Sequence, residues 1–283
     1  MQRQPSTNGR EEKMASSKTF FYAKNLADVF YQLKTISDLT IVGGCTSFVS
    51  RELPEKSLSV RDIAELKIID KHERYIDFGA AVTLSEIEEL GESNLPATIF
   101  TAITTIANPS LRNIATLGGN ICSCAFCNTL FAPLLALDAR LEFQTGEESV
   151  FTSFTRFEEI PNGSLLSKIR LPTEEWEVSV FRRLGPKNEL NDLSASFVFL
   201  ANSQKNQISD LRIAMAGNFK FRNIDLENKL IGAHLPLSQT AISNFLLEAE
   251  SAFEEATKEK KLNPILKRQF WNLVKFSLEQ LTY

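Results

Sequence analysis

Leu111-Arg112-Asn113-Ile114-Ala115-Thr116-Leu117-Gly118-Gly119-Asn120-Ile121-Cys122 is the stretch on which the reading of this 283-residue chain turns. It joins apolar residues to a Gly-Gly pair and then to small polar ones. Ile41-Val42-Gly43-Gly44-Cys45-Thr46-Ser47 repeats that make-up earlier in the chain. A Gly-Gly pair admits positive φ and lets a ligand approach with no Cβ in the way. Successive N–H groups in such a turn form an anion nest. Two nests, ringed by the side chains of Thr46, Ser47, Thr116 and Asn120, suit a pyrophosphate, so the pattern predicts a dinucleotide binder.

The flanks place both loops on an α/β frame. Asn25 is a candidate cap for a helix with Leu26, Val29, Phe30 and Leu33 on one face. Residues 39–42 read as a buried strand that delivers the first loop at its C-terminal end, where α/β folds place ligands. Residues 75–82 read as a strand, followed by a capping box of Thr83 and Glu86 and a C-cap at Gly91. Pro96 opens a helix carrying Ile99, Ile103 and Ile106, and Asn108-Pro109 is expected to end it.

Beyond the second loop, residues 134–143 are strongly apolar and lead into an antiparallel strand. Residues 164–171 form a further strand, stopped by Pro172. Residues 176–183, 194–202 and 211–217 read as strands, and amphipathic helices begin at Ser238 and Asn263. The order predicts an α+β protein of two or three subdomains.

Composition sets bounds. The chain is 43% hydrophobic and 23% charged, with a formal net charge of −4. That supports a sizeable core and gives no bulk attraction to nucleic acid or an anionic membrane. No apolar run reaches membrane-spanning length. Residues 1–18 are polar, lack a signal-peptide core and read as a disordered tail, with Met14 a second candidate start. The expectation is a cytoplasmic protein.

The second loop is nearly word for word the R-N-x-A-T-x-G-G-N-I of the FAD-binding (medium) subunits of molybdenum hydroxylases. It therefore resembles that family, of the xanthine dehydrogenase and carbon monoxide dehydrogenase flavoprotein type. Val42-Gly43-Gly44-Cys45-Thr46 resembles the family's first flavin loop, and residues 78–83 its G-A-x-V-T segment. Residues 134–139 resemble its L-L-A-L-D-A run, and residues 182–186 the entry strand of its C-terminal domain. Arg212-Ile213-Ala214 and Leu230-Ile231-Gly232 match weaker signatures of that domain.

The resemblance implies a PCMH-type FAD-binding domain over residues 19–172, an N-terminal α/β piece and a central antiparallel-sheet piece that divide near residues 60–65. A C-terminal domain of sheet plus helices follows over residues 176–283. It implies FAD held by Val42, Gly43, Gly44, Cys45, Thr46 and Ser47 from the first loop and by Ala115, Thr116, Gly118, Gly119, Asn120 and Ile121 from the second. Leu166 would pack near the flavin or adenine end. Arg183 aligns within a residue of a family lysine near the cofactor. Thr129 stands where the family usually has an Asp on the ribose side, and offers a weaker, neutral contact. The implied partners are a molybdopterin-binding subunit and a [2Fe-2S] subunit. Electrons would leave to NAD or another acceptor, and the flavin ring rather than an acid–base pair would carry the chemistry.

All four cysteines, Cys45, Cys122, Cys124 and Cys127, fall in or just after the two loops. Thiols replacing small residues beside a cofactor are the simplest reading. A four-thiolate metal or iron–sulfur site remains an alternative, as does a structural subunit that has lost FAD. His72 and His234 are far apart in sequence, and neither is expected to be catalytic.

Overall fold

The computed structural model describes residues 18–48, 52–123, 128–186, 189–260 and 262–281. The α+β expectation holds: among these residues the chain builds three sheets in succession.

The first sheet is parallel. It contains β1 (Thr19–Tyr22), β2 (Thr40–Val42) and β3 (Lys56–Ser59) in the order β1-β3-β2. Helix α1 (Leu26–Thr35) makes the crossover, and its start is satisfied by Asn25, whose side chain accepts from the Asp28 N–H. Strand β2 lies at an edge, not in the interior expected for it: Thr40 is exposed and only Val42 is buried. The buried centre is β3, whose Lys-Ser-Leu-Ser sequence carries no apolar pattern. A small core of Val29, Leu58, Val60, Ile63 and Leu66 holds this layer together.

The second sheet has the order β4-β5-β8-β6-β7: β4 (Ile69–Lys71), β5 (Tyr75–Gly79), β8 (Leu165–Pro172), β6 (Arg140–Thr145) and β7 (Glu148–Ser153), all antiparallel. Between β5 and β6 the chain makes α2 (Leu84–Glu88), α3 (Ala97–Thr105), α4 (Pro109–Arg112), α5 (Leu117–Cys122) and α6 (Phe131–Ala136). The Thr83–Glu86 capping box starts α2 as expected. Asn108-Pro109 does not end α3, which stops at Thr105. Instead the Asn108 side chain accepts from the Leu111 N–H and starts α4, with Pro109 at the first position, where its missing N–H costs nothing. On the outer face of this sheet Arg170 grips the buried Asp77 through two hydrogen bonds of 2.8 and 2.9 Å. Burial alone would raise the Asp77 pKa, but Arg170, Lys168 and His72 outweigh it and hold the carboxyl below its ordinary value.

The third sheet has the order β12-β11-β10-β9: β9 (Val178–Leu184), β10 (Ala195–Gln204), β11 (Gln207–Ala216) and β12 (Lys220–Arg222). Helices α7 (Ile224–Asn228), α8 (Gln239–Thr257) and α9 (Pro264–Gln280) follow. Residues of β10 are apolar at successive positions because both faces are covered. Val198 and Leu200 point into the core shared with α6, while Phe197 and Phe199 point into the core under α8 and α9. Much of the chain's phenylalanine collects in that second core, where Phe253 stacks on Phe270 with centroids 4.1 Å apart and Phe221 meets both edge-on.

The C-terminal sheet grips α6 at both ends. The Ser196 hydroxyl oxygen accepts from the Ala132 N–H. Arg222 donates to the Leu135 carbonyl at 2.8 Å, and Arg212 to the Ala136 carbonyl at 3.1 Å. Cations at a helix C-terminus complement its unpaired carbonyls, and Asp138, in the left-handed region, bridges the two arginines.

Candidate ligand cleft

The first wall of the cleft starts where β2 runs out. Beyond Val42 the chain turns through Gly43, Gly44 and Cys45 into a single 3-10 turn, Thr46–Phe48. The N–H groups of Gly43, Gly44 and Cys45 donate to nothing among the described residues. Neither glycine takes positive φ, contrary to expectation. The left-handed residue is Cys45, at φ 56°, a conformation that costs a non-glycine residue roughly 1 kcal/mol or more.

Gly44 is a glycine because of packing. A Cβ built on it would lie 1.8 Å from the Ile114 carbonyl oxygen. The two glycine segments therefore touch, and Thr116 stands at the seam, its hydroxyl 2.6 Å from where a Gly43 Cβ would be.

The second wall differs from the loop that the sequence suggested. Thr116 caps α5, its hydroxyl accepting from the Gly119 N–H at 3.0 Å. The Leu117 and Gly118 N–H groups donate to the carbonyls of Val82 and Ala80, both at 2.9 Å, and the Asn120 N–H donates to Thr116. With those donors spent inside the protein, this segment is not an anion nest. Gly118 is small because a Cβ there would meet Ala80 at 2.7 Å. This wall offers the Cβ-free backbone of Gly118 and Gly119 and the Thr116 side chain.

A third wall went unread in the sequence except for Leu166. It is the turn Ile160-Pro161-Asn162-Gly163-Ser164 and the start of β8. Ser164 donates its N–H and its hydroxyl to the Pro161 carbonyl, and Gly163 takes φ 70°. Pro-Asn-Gly is a legible turn signal, but a turn signal does not say what the turn faces.

These walls enclose a cleft of about 360 Å³, within the usual range for ligand sites. Of the residues expected at the site, Val42, Gly43, Gly44, Cys45, Thr46, Ser47, Thr116, Gly118, Gly119 and Leu166 line it. Ala115, Asn120, Ile121, Thr129 and Arg183 do not. Ile121 is wholly buried in the core, and Ala115 gives its carbonyl to the Leu84 N–H. Thr129 is buried just before α6. Arg183 lies on β9 and donates to the Pro186 carbonyl at 2.6 Å. The Asn120 Oδ1 is buried with no hydrogen-bond partner among the described residues.

Among the described residues no acidic, basic or histidine side chain lines the cleft. Cys45 and Cys122 do line it. Burial pushes the Cys45 thiol above its ordinary pKa against the pull of the nearby Arg61 charge, which keeps it protonated at neutral pH. Among the described residues no cluster of three His, Cys, Asp or Glu side chains could hold a metal ion. Cys124 and Cys127 lie outside the described residues.

Residues 13–174 match the model of the FAD-binding domain in molybdopterin dehydrogenase, more than half of the chain. The chain belongs to this family. Within it, the chain is 33% identical over 145 residues to the xanthine dehydrogenase FAD-binding subunit of Escherichia coli, covering 50% of this chain and 47% of that one. It is 30% identical over 141 residues to an indole-3-acetaldehyde oxidase of Zea mays, covering 47% of this chain and 10% of that protein. The chain thus spans less than half the length of these curated relatives. Its fold is that of a chain in reconstituted CO dehydrogenase from Oligotropha carboxidovorans. The TM-score is 0.78 at 19% identity, over 94% of this chain and 98% of the other. This member of the FAD-binding family has no helix among its described residues long and apolar enough to cross a membrane.

Proposed function

We propose that this chain is the FAD-binding subunit of a multi-subunit molybdenum hydroxylase. It would receive electrons from a [2Fe-2S] partner subunit, which in turn draws them from a molybdopterin-binding subunit, and pass them to NAD or another acceptor. We assign residues 19–172 to the FAD-binding unit and residues 176–283 to the C-terminal domain. The observation that carries the reading is the cleft where the two glycine segments meet, with three backbone donors on one side that have no acceptor among the described residues.

Its chemistry fits a dinucleotide. The N–H groups of Gly43, Gly44 and Cys45, without an acceptor among the described residues, are available to donate to a pyrophosphate, and the hydroxyl-bearing Thr46, Ser47 and Thr116 line the same cleft. Among the described residues no carboxylate on the walls opposes an anion, and Arg61 adds positive charge near Cys45. Leu33, Leu39 and Ile41, which pack against one small core, add apolar lining suited to a ring. Bound FAD supplies the redox-active ring; the chain supplies its position and its shielding from water.

An absorption spectrum of the purified chain, with flavin and iron assayed on the same sample, tests this. A flavin spectrum without iron is the expected result. A colourless, metal-free protein from flavin-sufficient cells contradicts it, and iron with acid-labile sulfide would move the assignment to the cysteines.

A further inference from the structure

Arg112 belongs to the stretch that decides the fold, yet it lines no part of the cleft. It is only 7% exposed, and all three nitrogens of its guanidinium donate hydrogen bonds. Nε and Nη2 donate to the two carboxylate oxygens of Glu88 at 2.8 and 3.2 Å. Nη1 donates to the carbonyls of Ile106 and Ala107 at 3.0 and 3.3 Å. Glu88 is the last residue of α2, and those carbonyls follow the last turn of α3, so one side chain on α4 ties three helices.

The other end of α2 is tied to the same segment. The Leu84 N–H donates to the Ala115 carbonyl at 2.9 Å, and Thr83 bridges to Thr116. The residues between these two ties include Ile114, whose carbonyl oxygen presses on Gly44 of the first wall. Beyond them Thr116 caps α5 and lines the cleft.

We propose that Glu88 and Arg112 are positioning residues that hold the second wall of the cleft against the first and so fix the spacing a pyrophosphate meets. The proposal rests on the FAD reading above. A planar guanidinium can grip a carboxylate and two carbonyls at once, whereas a lysine ammonium cannot reproduce that fork. Charge alone is therefore not sufficient for the role.

The test is FAD titration of the full chain, read by flavin fluorescence, in wild type, Arg112→Lys and Glu88→Gln. Glu227→Gln serves as control, because it disturbs a buried ion pair between β12 and α7, neither of which lines the cleft. Far-UV circular dichroism at the assay temperature establishes that each variant is folded. Arg112→Lys and Glu88→Gln are expected to raise the FAD Kd roughly tenfold, the scale on which residues touching no ligand shift binding. Glu227→Gln is expected to lose stability and keep the wild-type Kd. Should one of these two positioning variants fail to fold, the other decides. A folded Arg112→Lys or Glu88→Gln with wild-type Kd overturns the proposal, as does an equal loss of affinity in Glu227→Gln. A wild-type chain that takes up no FAD defeats the underlying reading, a result separable from either of these.

Discussion

At Gly44 the nearest atoms to an added methyl are all backbone: the Ile114 oxygen and carbon at 1.8 and 2.7 Å and the Ala115 nitrogen at 3.3 Å. No side-chain rotation relieves such a clash, so Gly44→Ala must part the two walls. We expect the variant to unfold about 1–3 kcal/mol more easily in urea titration, and an unchanged midpoint would show that the walls do not touch as described. The position of this glycine was legible in the sequence, but its reason was not. The Gly-Gly pairs suggested positive φ, a property of single residues, whereas Gly44 and Gly118 serve contacts to distant segments that composition does not reveal. The residue that does take positive φ is Cys45, a residue type that gives no such warning.

Among the elements, α6 shows how the C-terminal sheet is joined to the rest. Arg222 is buried with Glu227, donates to the Leu135 carbonyl and to Asp138, and makes the Glu227 carboxylate tolerable in the core. Burial pushes the Glu227 pKa up, and Arg222 pulls against it. Arg222→Met removes that pull and strands a buried carboxylate, at a cost of about 3–5 kcal/mol. The sign of the pH dependence follows. A carboxyl whose folded pKa lies above its unfolded value penalises folding once pH rises through that range, and the penalty vanishes as it protonates. The deficit of Arg222→Met should therefore be larger at pH 8 than at pH 5 in chemical denaturation, and a deficit that grows on acidification would refute the assignment. Element by element, the sequence was most legible where side chains cap helices, as at Asn25, Thr83, Ser238 and Asn263. It was least legible at β3, because a short strand flanked on both sides needs little apolar patterning of its own. Asn108-Pro109 was legible as a break between helices, and local chemistry favours a start there as much as a stop.

Across the whole molecule, the order of an α/β piece, an antiparallel sheet and a C-terminal sheet backed by helices followed from periodicity and family wording together, while the parallel pairing of the first sheet did not. The composition of the cleft did not. Its third wall comes from residues 160–166, brought to the glycine segments only by the return of β8 beside β5. Thr129 and Arg183, carried over by alignment, lie off the cleft because alignment gives a position in the chain and not the direction of a side chain. On the proposed function, one dinucleotide lies where the two glycine segments meet, and a crystal structure of the chain grown with FAD would locate it. Flavin density is expected along this cleft, with the pyrophosphate against the N–H groups of Gly43, Gly44 and Cys45. FAD bound at another surface, with these donors left to solvent, would contradict it.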